Sequence, residues 1–108
     1  MPRRVTADQI KASKQSLLGM YEEMAKGHSF KPKQFVRWKE GLQNRSLPAY
    51  GEPAIVWQVL PQALIDEEKG TGSPYFHEPL DIVLGVLGEN GEFILFHHDS
   101  RRFEPFPE

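Results

Sequence analysis

The chain has 108 residues, 39% hydrophobic and 26% charged, with thirteen Lys/Arg against fifteen Asp/Glu and no cysteine. That size and balance fit one globular domain and lie in the ordinary globular range rather than the disordered one. The missing cysteine excludes a disulfide framework, a thiolate nucleophile and a Cys-ligated metal, and it points to a reducing compartment.

The first predicted element is a helix over Ala7 to Lys26. Thr6 and Gln9 stand at capping-box spacing, and Val5 and Ile10 at hydrophobic-staple spacing. Ile10, Leu17, Tyr21 and Met24 recur on one stripe, widened by Leu18 and Met20 and interrupted by Lys14. Gly27 stands where a left-handed residue ends many helices. An isolated helix with one apolar stripe needs a surface to lie on. The sequence leaves open whether that surface is its own sheet or a second copy.

From Phe30 the pattern changes to a lead-in turn and a first strand, Phe30 to Lys39. Gly41 to Pro53 reads as loop, with Gly41, Asn44, Pro48, Gly51 and Pro53 as breakers. Ala54 to Leu60 is a β-branched second strand. Pro61 to His77 reads as a long loop, acidic at Asp66–Glu68 and glycine-rich at Gly70–Gly72; its Asp66–Gly72 stretch is expected to be the most mobile. Asp81 to Leu87 and Glu92 to His98 are a third and fourth strand, and Arg101 to Phe106 a short last one. An Asn90-Gly91 turn predicts Leu87 opposite Ile94, and Gly85 opposite Phe96, which would cover the bare glycine. In that register Val83, Leu87, Ile94 and Phe96 share one face, and Ile82, Leu84, Val86, Leu95 and His97 the other. Both faces are apolar, so one lines a core and the other needs a cover.

The order of these elements resembles an SH3-like barrel, and Phe30-Lys31-Pro32-Lys33-Gln34-Phe35-Val36 is similar to the opening of such barrels, with Lys33-Gln34 replacing a Gly-Asp pair. Val36-Arg37-Trp38-Lys39-Glu40-Gly41-Leu42, Leu47-Pro48-Ala49-Tyr50-Gly51-Glu52-Pro53-Ala54 and Asp99-Ser100-Arg101-Arg102-Phe103-Glu104-Pro105 resemble a small bacterial family of uncharacterised proteins. This resemblance spans residues 30–106. It implies a bacterial cytoplasmic protein and supplies no activity. The expected fold is therefore mainly β (α+β): residues 1–29 hold the helix and its flanks, residues 30–108 form a five-stranded SH3-like barrel, and together they make one domain. Such barrels serve many functions, so the fold does not choose one.

Three constellations are candidates for function. His97-His98-Asp99 has the side chains for metal or proton chemistry, but neighbours on a strand point to opposite faces, so the two imidazoles do not converge. No nucleophile elbow or phosphate-binding loop is present: Gly70-Thr71-Gly72-Ser73 lacks a following helix. The expectation is no enzyme activity, no metal and no cofactor. The second constellation is basic. Residues 1–50 hold ten Lys/Arg and four Asp/Glu, and residues 51–108 hold three and eleven, so the halves carry +6 and −8. Lys31, Lys33, Arg37, Lys39 and Arg45 crowd the first strand and loop, and Arg101-Arg102 opens the closing strand. With Trp38 and Tyr50 these residues suit phosphate contact and base stacking. The alternatives are that the two halves neutralise each other and that Arg101 and Arg102 pair with Asp99, Glu104 or Asp81. A pI near 6.1 also opposes a dedicated nucleic-acid binder. The third is aromatic: Tyr50, Tyr75 and Phe76 in loops, and Trp38 and Trp57 on strands, with Trp57 and Phe76 expected in the core.

These features predict a non-catalytic binding or accessory module that docks onto another protein. Its candidate binding residues are Arg37, Trp38, Lys39, Arg45, Tyr50, Tyr75, Arg101 and Arg102. Nucleic-acid binding through a patch shared by the first and closing strands is the alternative, and a homodimer is a further option. No apolar run is long enough to span a membrane.

Overall fold

The capping box sets where the helix begins. In the computed structural model, which describes residues 4–65 and 78–108, α1 runs Ala7–Ala25. The Gln9 backbone N–H donates to Thr6 Oγ1 (3.1 Å), and the Thr6 N–H donates to Gln9 Oε1 (2.8 Å). The far end is not closed by glycine. Gly27 is absent from the positive-φ positions, and the cap residue Lys26 is extended. Instead Lys39 reaches over from the sheet. Its ammonium donates to the Glu23 carbonyl and to the Lys26 carbonyl (2.7 Å), placing a positive charge at the negative end of the helix dipole.

The sheet contains β1 (Phe35–Trp38), β2 (Ala54–Ile65), β3 (Pro79–Leu87), β4 (Phe93–His98) and β5 (Phe103–Pro105). A 3-10 turn, Ser100–Arg102, joins β4 to β5. All ladders are antiparallel, in the order β4-β3-β2-β1-β5. The first and last strands are neighbours, as expected. The barrel is not formed: β4 and β5 are the two edges and make no ladder with each other, so the five strands remain an open sheet. One face of the sheet is roofed by the segment between β1 and β2, whose Leu42 and Pro48 are buried and whose Leu47 packs on the core. With loop residues filling that side, the sheet has no need to close on itself.

The core lies under this roof. Val36, Trp38, Ala54, Val56, Ile82, Leu84, Val86 and Phe103 are its buried side chains. Trp38 stacks on Phe103 at 4.2 Å between centroids and donates its indole N–H to the Pro48 carbonyl (2.6 Å). Buried indole nitrogens need such a partner.

The hairpin register differs from the expected one by a residue. Leu87 faces Phe93, Val86 faces Ile94, Gly85 faces Leu95 and Leu84 faces Phe96. Only Gly91 has positive φ, so the Asn90-Gly91 pair does not form a type I′ turn. The Gly91 N–H donates to the Gly88 carbonyl (3.0 Å) and the Gly88 N–H to the Glu92 carbonyl (2.8 Å), giving a longer loop that ends on a left-handed glycine. A one-residue slip exchanges faces. Ile94 and Phe96 therefore join Ile82, Leu84 and Val86 on the roofed side, while Phe93 and Leu95 join Leu87 on the other.

β2 also departs from expectation. It continues through Pro61 to Ile65, where a loop was expected. Its pairing with β3 breaks between Val56 and Gln58 and again between Val59 and Leu64. Pro61 lies in the second break, where the missing N–H costs no ladder bond.

Candidate functional site

The residues that slip to the second face find no cover. Pairing places Phe35 opposite Ile55, Ile55 opposite Gly85, and Gly85 opposite Leu95. On the other side of β1, the Phe106 N–H donates to the Phe35 carbonyl (2.9 Å). Residues directly opposite in antiparallel strands share a face. One apolar row thus crosses the sheet from Phe106 to Leu95. Trp57, displaced by the break in β2, leans on Phe93, their centroids 6.2 Å apart. The Phe93 ring lies over Gly85 so closely that a Cβ there would sit 2.4 Å from it. Phe35, Trp57, Leu87, Phe93 and Leu95 are all exposed. The tryptophan expected in the core is therefore the open one, at 55%, whereas Trp38, a candidate for stacking on a ligand, is 1% exposed.

Helix α1 leaves this face open. Ile10, Leu17, Leu18 and Tyr21 are exposed, Tyr21 at 72%, so of the two surfaces left open for the stripe its own sheet is not the one it uses. Lys39 holds the last turn of α1 near the β1–β2 segment, where Met20 also approaches Gly41. Gly41 has φ +79, which favours a glycine, and Met20 Cε lies 3.2 Å from where a Cβ would stand.

Of the expected basic patch, three arginines are paired with carboxylates and Lys39 is buried, while Lys31 and Lys33 stay exposed. Arg37 pairs with Glu104 (2.8 Å), its neighbour across β1 and β5. Arg101 grips both carboxylate oxygens of Asp99, its Nη2 at 2.6 Å. Arg102 pairs with Glu78 and donates to the Leu42 carbonyl (3.0 Å). Among the described residues Asp81 pairs with no arginine; it accepts from the Ser100 N–H (2.8 Å) and hydroxyl (2.7 Å). Lys39 is buried, and burial lowers its ammonium from the ordinary lysine value against the raising effect of Glu23. With its ammonium held by two helix carbonyls, it offers no donor to a ligand. Arg37, Trp38 and Tyr50 do meet, in a cleft of about 620 Å³ between α1 and the sheet, but Glu22, Glu23, Glu40 and Glu104 line it too. Arg45 is elsewhere, beside Leu47 and Phe96 in a smaller hollow of about 310 Å³. Tyr75 and Phe76, with the Asp66–Gly72 stretch, lie outside the described residues.

His97 and His98 point to opposite faces, as strand alternation requires: His97 is exposed and His98 buried. The His98 ring is enclosed by Trp38, Phe96 and Phe103, and its Nε2 has no hydrogen-bond partner. Burial, with help from the charge of Arg45, lowers its pKa to about 4, so the ring is neutral near pH 7. At Asp99, burial raises the carboxyl, but bonds from the Arg101 side chain and N–H outweigh it and hold the group below the usual range. Among the described residues no cluster of His, Asp and Glu is placed to hold a metal, and no helix is long and apolar enough to cross a membrane.

The open face was not among the residues selected from sequence, although the apolar character of both hairpin faces was its signal. No family model, curated protein or solved structure matches the chain.

Proposed function

We propose that this domain is a non-catalytic docking module that seats a protein partner on its open sheet face. The observation that carries this reading is the exposed patch of Phe35, Trp57, Leu87, Phe93 and Leu95 on that face, with the Trp57–Phe93 pair in it. Single exposed apolar residues are ordinary, but a contiguous patch with aromatic anchors has the composition of a protein interface. The pairing of Arg37, Arg101 and Arg102 with carboxylates, and the burial of Lys39, weigh against phosphate contact.

A photo-crosslinking amino acid at position 57 or 93, with position 33 as a control, tests the reading in cells. Protein adducts are expected at 57 and 93, not at 33, and a second change, Phe35→Asp, should abolish them. Nucleic-acid adducts, or equal protein adducts at all three positions, would contradict it.

A further inference from the structure

The same chain carries a second uncovered apolar surface, the stripe of α1. Ile10, Leu17 and Tyr21 fall within about 40° of one another around the helix at ~100° per residue, and span roughly 16 Å at ~1.5 Å per residue. The row on the sheet crosses five strands spaced ~4.8 Å apart, so it is about 19 Å long. The two surfaces match in length. They do not meet within one molecule, because Lys39 pins the last turn of α1 beside the segment that roofs the opposite face.

We propose that α1 of a second copy covers the open sheet face, and that the contact is reciprocal: each helix lies across the other's sheet about a twofold axis. The inference rests on the reading of that face as a docking surface, and it names the partner. Area supports reciprocity. A fully buried aromatic side chain hides ~150–250 Å², so the half-exposed Phe35, Trp57 and Phe93 with Leu87 and Leu95 make a patch on the order of 400 Å². A stable interface needs roughly 800 Å² per partner. The sheet face alone supplies about half of that, and the sheet face plus the helix stripe of each copy reaches it. Charge agrees. Arg4, Lys11 and Lys14 make the N-terminal half of the helix basic with only Asp8 against them, while Glu22 and Glu23 stand at its far end, and the β3–β4 loop offers Glu89 and Glu92. A twofold axis uses each patch once on each copy and leaves none open, so assembly stops at two.

Sedimentation equilibrium of the full chain, from low micromolar to several hundred micromolar, should show a mass rising from the 12.4 kDa of one chain to twice that value. Leu17→Glu and Trp57→Lys change exposed side chains on the two proposed surfaces, and each should weaken association at least tenfold, as loss of an anchor does. Circular dichroism checks that both variants stay folded. Mixed together, they should form a heterodimer where neither dimerises alone, because one contact stays unaltered and the other gains a Glu–Lys pair. A dimer indifferent to Leu17→Glu, or a mixture that stays monomeric, would overturn reciprocal docking. A wild-type chain that is monomeric throughout would overturn the second copy as partner; crosslinks from positions 57 and 93 to a different protein would then still support the docking face.

Discussion

The two faces of the sheet are made of the same kinds of residue and meet opposite fates. Val36, Trp38, Val56, Leu84 and Phe103 are buried, while Phe35, Trp57, Phe93 and Leu95, next to them in the chain or across the ladder, face outward. Hydrophobicity does not separate the faces; cover does. The β1–β2 segment roofs one face, and the helix that might have roofed the other is held away by Lys39.

The largest expected contrast is between the two tryptophans. Trp38→Ala should cost about 3–5 kcal/mol, because it opens a cavity against Phe103 and strands the Pro48 carbonyl. Trp57→Ala, measured at high dilution, should cost about 0.5 kcal/mol, as an exposed change does. Urea denaturation reads both. Equal costs would mean that the second face is covered within one molecule.

The next effect belongs to the roofed face alone. His98 titrates at about 4 when folded and near 6.5 when unfolded. Between those values the unfolded chain binds the extra proton, so stability falls as pH drops from 6.5 to 4, by about 3 kcal/mol, and is constant with respect to this group above that window. Asp99 is held low, so its contribution is present above the unfolded carboxyl value and is lost only in stronger acid. His98→Leu should flatten the slope between pH 6.5 and 4, seen in melting temperature against pH, because it removes both the titration and the orphaned Nε2. An unchanged slope would place the proton elsewhere.

Two smaller effects concern the open side. Lys39→Met should fray the last turn of α1, read as lost helical ellipticity, at a cost of about 1 kcal/mol, because the freed Glu23 and Lys26 carbonyls can turn to water. The sheet should melt as before. Gly85→Ala should cost somewhat less, below about 1 kcal/mol, because the ring it strikes, Phe93, is half out in solvent and can swing aside. Its signature is a shift in Trp57 emission as the Trp57–Phe93 pair parts.

These contrasts mark what was legible in the sequence. Local chemistry was: the Thr6–Gln9 box, the β-branched run at Ala54 and the opposite facing of His97 and His98. What depended on a partner distant in sequence was not. The Asn90-Gly91 signal predicts a turn but not which of two registers follows, and the slip decided which apolar set stayed dry. Gly27 sits at the expected capping position, yet a lysine 13 residues beyond Lys26 does the capping. Trp57 faces outward because it alternates with Val56, and which of the two is inward was set by strand partners distant in sequence. The basic cluster at Arg37–Arg45 was visible, but the pairing of Arg37 needed Glu104 from the other half of the chain.

Hydroxyl-radical footprinting of the full chain at two concentrations tests most directly the claim that one face is dry and the other is a docking surface. In dilute solution Trp57, Phe93 and Tyr21 should be oxidised while Trp38 and Phe103 are spared; in concentrated solution Trp57, Phe93 and Tyr21 should become protected together. Sparing of Trp57 in dilute solution would contradict the open face, and its protection at high concentration without that of Tyr21 would contradict the helix as its cover.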